Sequence, residues 1–264
     1  DGSQAMVREH FPQVHLIANG QNVGFARANN QGLQVSSGEV AVLLNSDAEI
    51  LANTLVELAA CFDRHPDTGI IGGVLLNPDG SFQASYNSFP TVWSEFLLLT
   101  GLSRRVYGPH FPSAEPEAST AEHQVDWVGG ACMAVRRQAF TQVGGLDERY
   151  FLYSEEMDWC YAMRRGGWKV YFCPTARTIH HGGQSSNQAS QRRLSRLYRS
   201  KVQFFGFHYG PGAAFSLRVL VAITSAVKIV LVMARLLIRR RQPTHMIEDA
   251  RMYWNALWLA DKER

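Results

Sequence analysis

The stretch that most constrains the fold of this chain is V-A-V-L-L-N-S-D-A-E-I, at residues 40–50. Its unbroken apolar run predicts a strand that is buried on both faces, as strands of parallel sheets are. Asn45, Asp47 and Glu49 follow at the carboxyl end of this strand, where open α/β sheets bind ligands. Carboxylate oxygens are ligands that Mg²⁺ and Mn²⁺ prefer, although the pattern taken alone also fits an ordinary polar turn.

Strand-like and helix-like segments alternate around this stretch, which predicts a largely parallel α/β sheet flanked by helices. Thr54 and Glu57 have the spacing of a capping box at the start of one helix. The turn Asn77-Pro78-Asp79-Gly80 predicts a hairpin. Strands are expected at residues 14–18, 40–44, 70–76, 125–135 and 169–173, and helices at residues 25–35, 55–62, 93–102, 138–143 and 155–165.

The net charge and the cysteine spacing argue against some classes of binding partner and of cysteine site. The net charge of +3 is too small to indicate a nucleic-acid partner. The four cysteines are scattered, with no C-x-x-C pair. This spacing favours reduced thiols in a cytosolic protein over a disulfide framework or a zinc site.

The character of the chain changes after Asn187. A basic, aromatic helix is expected at residues 192–207, and residues 219–237 are almost wholly apolar apart from Lys228 and Arg235. The apolar stretch is near transmembrane length, but its two charges also fit a helix that lies on an anionic membrane surface. The third alternative is a buried helix of a C-terminal subdomain.

Three further polar motifs lie at predicted strand–helix junctions. The motif N-V-G-F-A-R-A-N-N-Q-G at residues 22–32 suits a phosphate at a helix N-terminus, or simply a turn. Residues 144–158 carry more acidic side chains than a helix start needs, so one of them can serve as a general base. H-H-G-G-Q-S, from His180, offers an imidazole either as a metal ligand or as an ordinary polar side chain.

Together with L-L-N-S-D, these motifs resemble those of the inverting glycosyltransferases of family 2, especially the rhamnosyltransferase-like branch. They occur in the family's order, and they include G-A-C-M-A-V-R-R and G-G-L-D-E-R-Y-F-L-Y-S-E-E-M-D. The resemblance covers residues 1–210, since R-S-K-V-Q-F-F-G-F-H-Y-G resembles the branch's C-terminal helix. It implies a GT-A-type, mostly parallel nucleotide-binding sheet in residues 1–190 and a helical, membrane-associated region in residues 191–264.

The resemblance also implies a nucleotide-sugar donor whose diphosphate is held by Mg²⁺ or Mn²⁺. Asp47 matches the acid of the family's D-x-D-like motif, and His180 matches the histidine that completes the metal site. Asn45 stands where the first Asp of that motif often is. The residues implied to bind the donor are Asn22, Gly24, Asn29, Asn30, Asn45, Asp47, Trp127 and Gly130.

Glu156 stands where the family usually has its catalytic Asp. The resemblance implies that Glu156 deprotonates the acceptor hydroxyl in a single displacement that inverts the anomeric carbon. Glu155 and Asp158 remain alternatives for the base, because both lie in the same acidic motif.

The family's first two strands have no counterpart after residue 1. The second of them ends in D-N-x-S-x-D-G-S, and Asp1-Gly2-Ser3 resembles the end of that motif. A sheet without both strands exposes an edge and part of its core. We therefore expect this chain by itself to be poorly folded or inactive, and the parent protein to be active.

The sequence thus predicts a metal-dependent glycosyltransferase that uses a nucleotide sugar, with dTDP-rhamnose as one possible donor. The expected acceptor is a glycan, or a glycan on a polyprenyl carrier. The expected location is cytoplasmic, peripheral to or anchored in the inner face of the cell membrane. A non-catalytic membrane-associated scaffold derived from such an enzyme, and a nucleotidyltransferase on a related sheet, stay open as alternatives.

Overall fold

A computed structural model of the chain describes residues 2–108, 110–111, 113, 121–182, 190–238 and 244–258. The helices in these ranges are α1 (Ser3–His10), α2 (Phe25–Val35), α3 (Thr54–Arg64), α4 (Val92–Thr100), α5 (Ser103–Tyr107), α6 (Arg137–Val143), α7 (Glu155–Arg165), α8 (Ser190–His208), α9 (Pro211–Ile238) and α10 (Thr244–Trp258). The strands are β1 (Val40–Leu44), β2 (Ala48–Ile50), β3 (Thr68–Leu76), β4 (Phe82–Gln83), β5 (Tyr86–Asn87), β6 (His123–Gln124), β7 (Trp127–Val128), β8 (Cys132–Arg136) and β9 (Lys169–His180).

The main sheet has the strand order β1-β8-β3-β9-β2, with β4 added to β3 and β6 added to β9. Among the strand pairs that the structure describes, β3 and β9 are parallel and the others are antiparallel. The expectation of a mostly parallel sheet is therefore wrong. The sheet is mixed, because β8 lies between β1 and β3 and runs opposite to both.

Helices cover both faces of this sheet, and the alternation of side chains along β3 shows how. Ile70 and Val74 pack into a core with α2, α6 and α7. Ile71 and Leu75 point to the opposite face and pack against α3. This period of two is that of a strand with two buried faces, so the predicted α/β class is confirmed even though the strand directions differ.

β1 is an edge strand, not the doubly buried central strand predicted from its apolar run. Leu43 is buried, but Val42 and Leu44 are 38% and 44% exposed. The physical reason is that β1 pairs with β8 on one side only in the described sheet, and α3 leaves part of its outer face uncovered. Residues 14–18, which were also predicted to be a strand, have no strand structure.

The start of α3 differs from the predicted capping box. Asn53 is the N-cap, with a left-handed φ of 65°, and its side chain makes no cap hydrogen bond. The Thr54 hydroxyl instead donates to the carbonyl of Arg177 at 2.6 Å. A capping box does occur at α4, where Thr91 and Ser94 bond reciprocally.

The C-terminal helices pack onto the sheet domain through a third core. Phe204 and Phe205 of α8 and Leu217 of α9 are fully buried there with Tyr150 and Met157. α8 begins at Ser190 and packs against the preceding sheet and helices, and the domain boundary at residue 190 stays a prediction.

A buried ion pair joins α8 to α4. The Lys201 ammonium lies 2.6 Å from the Glu95 carboxylate, and the exposed fraction of the Glu95 side chain is 1%. Burial and the nearby Glu95 carboxylate raise the pKa of the Tyr198 hydroxyl on α8. Desolvated charges are stable only while they are paired, so Glu95 depends on α8.

We predict that Lys201→Met lowers the free energy of unfolding by about 3 kcal/mol, because it leaves the Glu95 carboxylate buried without its cation. The double variant Glu95→Gln/Lys201→Met removes the unpaired buried charge and keeps a polar side chain beside Tyr198. It should therefore recover most of the lost free energy of unfolding. Urea denaturation of the three proteins measures both effects. A single variant as stable as the parent would contradict the proposed dependence.

Candidate active site

Strand pairing brings Asp47 and His180 together although they are far apart in the chain. β2 pairs antiparallel with the end of β9, with Ala48 opposite His180. The Asp47 Oδ1 atom lies 3.3 Å from His180 Nε2. The Asn45 amide nitrogen lies 3.5 Å from the same imidazole nitrogen. The residues predicted to hold a cation therefore form one cluster at the tip of β1.

Gln83 orients this histidine, and sequence reasoning missed it. Its side-chain oxygen lies 2.6 Å from His180 Nδ1, while its nitrogen donates to the oxygens of Asn77 and of the His180 backbone. These contacts place a proton on Nδ1, so Nε2, the ring nitrogen that faces Asp47, is the atom that would bind an ion. The β3–β4 hairpin delivers Gln83 to this position, and a lone glutamine on a short strand carries no motif by which to find it.

The donor atoms of this cluster fit a divalent cation. A carboxylate oxygen and an imidazole nitrogen are both ligands that divalent cations take in proteins, and one ion can bridge the 3.3 Å between them. The exposed fractions of the Asp47 and His180 side chains are 19% and 17%, so both remain accessible. Residues 183–185, the rest of the predicted H-H-G-G-Q-S motif, lie outside the described ranges.

The acidic motif begins α7 with strained backbone. Tyr153 and Ser154 both have left-handed φ angles, of 71° and 70°, immediately before Glu155. Such conformations in residues other than glycine cost free energy and occur preferentially at functional sites. The strain sets the direction in which the first residues of α7 present their side chains.

Glu155 and Glu156 each have a buried carboxylate oxygen, Oε2, without a hydrogen-bond partner among the described residues. Burial raises the pKa of Glu156. Burial, together with the neighbouring Glu156 carboxylate, raises the pKa of Glu155 to about 9. Unpartnered buried oxygens are costly unless a ligand engages them, and raised pKa values are typical of acid–base sites.

Asp158 has a different environment from the two glutamates. It is buried, it accepts a hydrogen bond from the Tyr150 hydroxyl at 3.1 Å, and it lies 2.6 Å from His208 Nε2. His208 is the last residue of α8, so Asp158 links the acidic helix to the C-terminal helices. Its carboxylate is therefore already engaged by two protein partners.

The glycine turn between β7 and β8 connects the cation cluster to the glutamates. The backbone nitrogen of Asn45 donates to the carbonyl of Ala131 at 3.0 Å. A Cβ atom on the neighbouring Gly130 would lie 3.7 Å from Glu156 Cβ and 3.2 Å from the ring of Phe25. Gly130 thus lies between α2 and α7, beside the residue that contacts Asn45.

The N-V-G-F motif closes against the loop that precedes the acidic helix. Asn22 accepts a hydrogen bond from the Gly24 nitrogen at 3.0 Å, and Phe25 N donates to the Phe151 carbonyl at 3.2 Å. Gly24 has a φ of 83°, and a Cβ atom there would lie 2.8 Å from the Phe151 oxygen. Both observations require glycine at this position.

Asn29 and Asn30, the adjacent asparagines of this motif, make contacts within the protein. Asn30 accepts from Leu146 N at 2.9 Å and donates to Leu146 O at 2.8 Å, so it clamps the backbone beside Gly145. Asn29 donates to the Phe25 carbonyl one turn earlier in α2, at 2.9 Å. Trp127 donates from its indole nitrogen to the Ser88 carbonyl at 3.1 Å. These side chains lie around the site but already have protein partners.

Comparisons with known proteins agree with this arrangement of motifs. The N-acetylglucosaminyl-diphospho-decaprenol L-rhamnosyltransferase of Mycobacterium tuberculosis is 29% identical over 223 residues, covering 77% of this chain and 70% of that protein. The dTDP-rhamnosyl transferase RfbF of Shigella flexneri is 24% identical, covering 73% of this chain and 62% of that protein.

The fold is similar to that of the mannosyltransferase PcManGT from Pyrobaculum calidifontis, solved with GDP-Man and Mn²⁺. The TM-score is 0.50 at 15% identity, and the match covers 100% of this chain and 76% of that one. Residues 2–200 match the family profile described as "Glycosyltransferase like family 2". The family predicted from the motifs is confirmed: the chain belongs to glycosyltransferase family 2 and is a GT-A-type enzyme of that family.

Proposed function

We propose that this glycosyltransferase moves a hexosyl or deoxyhexosyl group from a nucleotide sugar to a glycan on a polyprenyl carrier, with inversion at the anomeric carbon. The observation that carries the proposal is the approach of Asp47 to His180, together with Glu156, whose carboxylate has an unpartnered oxygen and whose Cβ atom packs beside Gly130 in the glycine turn that contacts Asn45. A cation site beside buried acids is what transfer from a nucleotide diphosphate to a hydroxyl requires.

The names of the relatives support the donor and acceptor classes. One is a rhamnosyltransferase whose name specifies an N-acetylglucosaminyl-diphospho-decaprenol acceptor, and another is a dTDP-rhamnosyl transferase. On this basis dTDP-rhamnose is the first donor to test, and a diphospho-polyprenol glycan is the first acceptor.

Asp47 and His180 would hold the Mg²⁺ or Mn²⁺ ion, with Asn45 beside them. When bound, the ion would supply Lewis-acid stabilisation of the charge on the nucleoside diphosphate. Gln83 keeps His180 in the tautomer that leaves Nε2 free for a ligand. The outer pair, His181 and Glu49 at 2.8 Å, would support the strand tip.

Glu156 is proposed as the general base. Its carboxylate would accept the proton of the acceptor hydroxyl as that oxygen attacks the anomeric carbon and the bond to the diphosphate breaks. Burial raises the pKa of both glutamates, and two adjacent buried carboxyls resist double ionisation, so a proton shared by the pair would leave one carboxylate to act as the base. The two protein contacts of Asp158 favour a positioning role for it.

The donor-binding roles of Asn22, Gly24, Asn29, Asn30, Trp127 and Gly130 remain predictions. Their contacts support two different roles, that of leaving space for the donor and that of positioning the backbone. Gly24 and Gly130 would keep the site open where a side chain would fill it, and Asn30 would position the backbone at Gly145 through its two bonds to Leu146. In this proposal Asn30 acts on the donor through the backbone that it holds.

We predict that Glu156→Gln, in the protein expressed from its full natural reading frame, lowers kcat by roughly 10²–10⁴-fold, the usual contribution of a general base. Donor affinity should stay within a few-fold, because the substitution is isosteric and lies away from the cation ligands. Single-turnover kinetics and donor titration measure the two quantities. Glu155→Gln, which mimics the protonated acid, is the matched control. A larger loss of kcat in Glu155→Gln would move the base to that residue.

Asp47→Ala should weaken Mn²⁺-dependent donor binding, because it removes the charged ligand of the cation. Gln83→Leu should weaken Mn²⁺ binding by about 10–100-fold, the usual effect of removing the group that orients a histidine ligand. Calorimetric titration of donor and of Mn²⁺ measures both effects, with Glu49→Gln as the control outside the ligand pair. Metal-independent activity in Asp47→Ala would contradict the assignment.

The outer face of α9 supports an interfacial association with the membrane. Residues 211–234 have a mean hydropathy of 2.2 and form the one described helix that is long and apolar enough to cross a bilayer. One side of α9 is nevertheless packed, with Leu217 and Val221 fully buried against α8 and its neighbours. The charged side chain of Lys228 lies on the packed side, 4.9 Å from the ring of Tyr253.

The opposite side of α9 is exposed and largely apolar, with the exposed Arg218 near its beginning. Its large side chains recur at helical spacing and are between 37% and 69% exposed: Phe215, Val219, Ile223, Val227, Val230 and Met233. Trp93 of α4 is 62% exposed next to Leu220, with which it lines the same apolar surface. A continuous apolar face of this kind fits a helix lying in the membrane interface, close to a polyprenyl-linked acceptor.

We predict that Ile223→Asp/Val230→Asp abolishes flotation of the protein with anionic phospholipid vesicles, because carboxylates oppose burial in the interface. Val56→Asp on α3 is the matched control, since Val56 and Val230 are both 66% exposed. Equal flotation of the double variant and the control would contradict the proposal. A concentration-dependent dimer that disappears in the double variant, without lipid binding by the parent, would assign this face to a second copy of the chain.

A further inference from the structure

A second cluster of metal-ligand side chains lies on the α3 side of the sheet. It consists of Cys61 and His65 at the end of α3, Glu122 just before β6, and Cys173 on β9. Cys173 precedes His180 on the same strand by roughly 20 Å of extended chain, so the cluster is separate from the cation site at Asp47. The proposed glycosyl transfer does not use any of these side chains.

The geometry of the cluster is compact. Cys61 and His65 are four residues apart, which places them on one face of the helix end. The ligand atoms of Cys61, His65 and Glu122 all lie within 4.8 Å of one another. The Cys173 sulfur lies 3.9 Å from Glu122 Oε1, and Cys173 packs in the same core cluster as Cys61. Two ligand atoms of a tetrahedral zinc ion are about 3.5 Å apart. Small rotations of these side chains would therefore bring their ligand atoms to the separations that zinc requires.

The surroundings hold these four groups in place. Both sulfurs belong to residues that are fully buried. The His65 ring stacks on Tyr171 with a centroid distance of 4.0 Å, and its Nε2 lies 2.9 Å from Glu122 Oε2. Arg64 pairs with both oxygens of Glu122, its Nε donating to Oε2 at 3.1 Å and its Nη2 to Oε1, so an ion would bind through a remaining lone pair of the carboxylate. Thr175 lies 3.3 Å from the Cys173 sulfur.

We propose that Cys61, His65, Glu122 and Cys173 form a structural binding site for Zn²⁺ or another divalent ion of similar softness. Two thiolates, an imidazole and a carboxylate are the ligand types that zinc takes in closed tetrahedral sites. On binding the ion, the Cys61 and Cys173 thiols would release their protons to solvent, as would the His65–Glu122 pair, and the ion would join α3, β9 and the segment before β6. Mg²⁺ is disfavoured here because two of the four ligands are sulfur.

The experiment measures zinc in the protein from its full natural reading frame, in a His180→Ala background that weakens the cation site at Asp47. Elemental analysis after dialysis should find one zinc per chain. His65→Gln and Cys61→Ser should lose it, whereas Cys132→Ser, a buried thiol outside the cluster, should retain it. Replacement by Co²⁺ should give the visible absorption of a tetrahedral ion and thiolate-to-cobalt charge transfer, both absent in Cys61→Ser.

Several outcomes would overturn the proposal. One is an equal zinc content in the three variants His65→Gln, Cys61→Ser and Cys132→Ser, provided that circular dichroism shows all three to be folded. The partly exposed side chain of His65 makes His65→Gln the variant least disruptive to the core. A parent protein with no bound zinc and no cobalt spectrum would equally overturn it. Thiol titration of the unfolded chain that shows a Cys61–Cys173 disulfide would assign the pair to redox chemistry instead.

Discussion

The pairing of β9 with its neighbours is the interaction on which the rest of the structure depends. β9 lies parallel to β3 through most of its length, and its last residues pair with β2. One strand therefore carries Cys173 in the core and His180 at the ligand-binding edge. Because the hydrogen bonds of a strand fix the register of its side chains, the 3.3 Å approach of His180 to Asp47 follows from this pairing.

The acidic helix shows how packing holds a strained site. Tyr153 and Ser154 each adopt a left-handed conformation, at a cost of about 1–3 kcal/mol per residue. The helix that follows is anchored by Trp159 and Met163, which are buried in the core between helices and sheet. That burial offsets the strain and holds Glu155 and Glu156 with buried, unpartnered carboxylate oxygens.

The motifs predicted the family, the α/β class and most helices, because these depend on local patterns that the chain carries in full. They also brought Asp47 and His180 into one hypothesis, and the structure places the two side chains together. Strand direction was not predictable in this way, since the insertion of β8 between β1 and β3 depends on pairing between distant segments. For the same reason an apolar run predicted burial for Val42 and Leu44, which lie exposed on an edge.

Residues without a motif were missed for a related reason. Gln83 acts only through the hairpin that brings it to His180. The spacing of the cysteines predicts scattered, reduced thiols because no two are close in sequence, although α3 packs Cys61 into the same core cluster as Cys173 of β9. The donor-binding role of Asn30 stays a prediction, and its contacts with Leu146 and Glu148 depend on how α2 packs against the later chain.

The attachment of α8 has a practical consequence for protein engineering. A chain shortened before α8 would lose Phe204 and Phe205 and would expose the residues that pack against them in the third core. It would also leave Glu95 without Lys201 and Asp158 without His208. Removing the C-terminal helices is therefore a poor route to a water-soluble catalytic domain. Substituting polar side chains for the exposed apolar ones of α9 would preserve every one of these contacts, and it is the better route to a water-soluble protein for crystallisation.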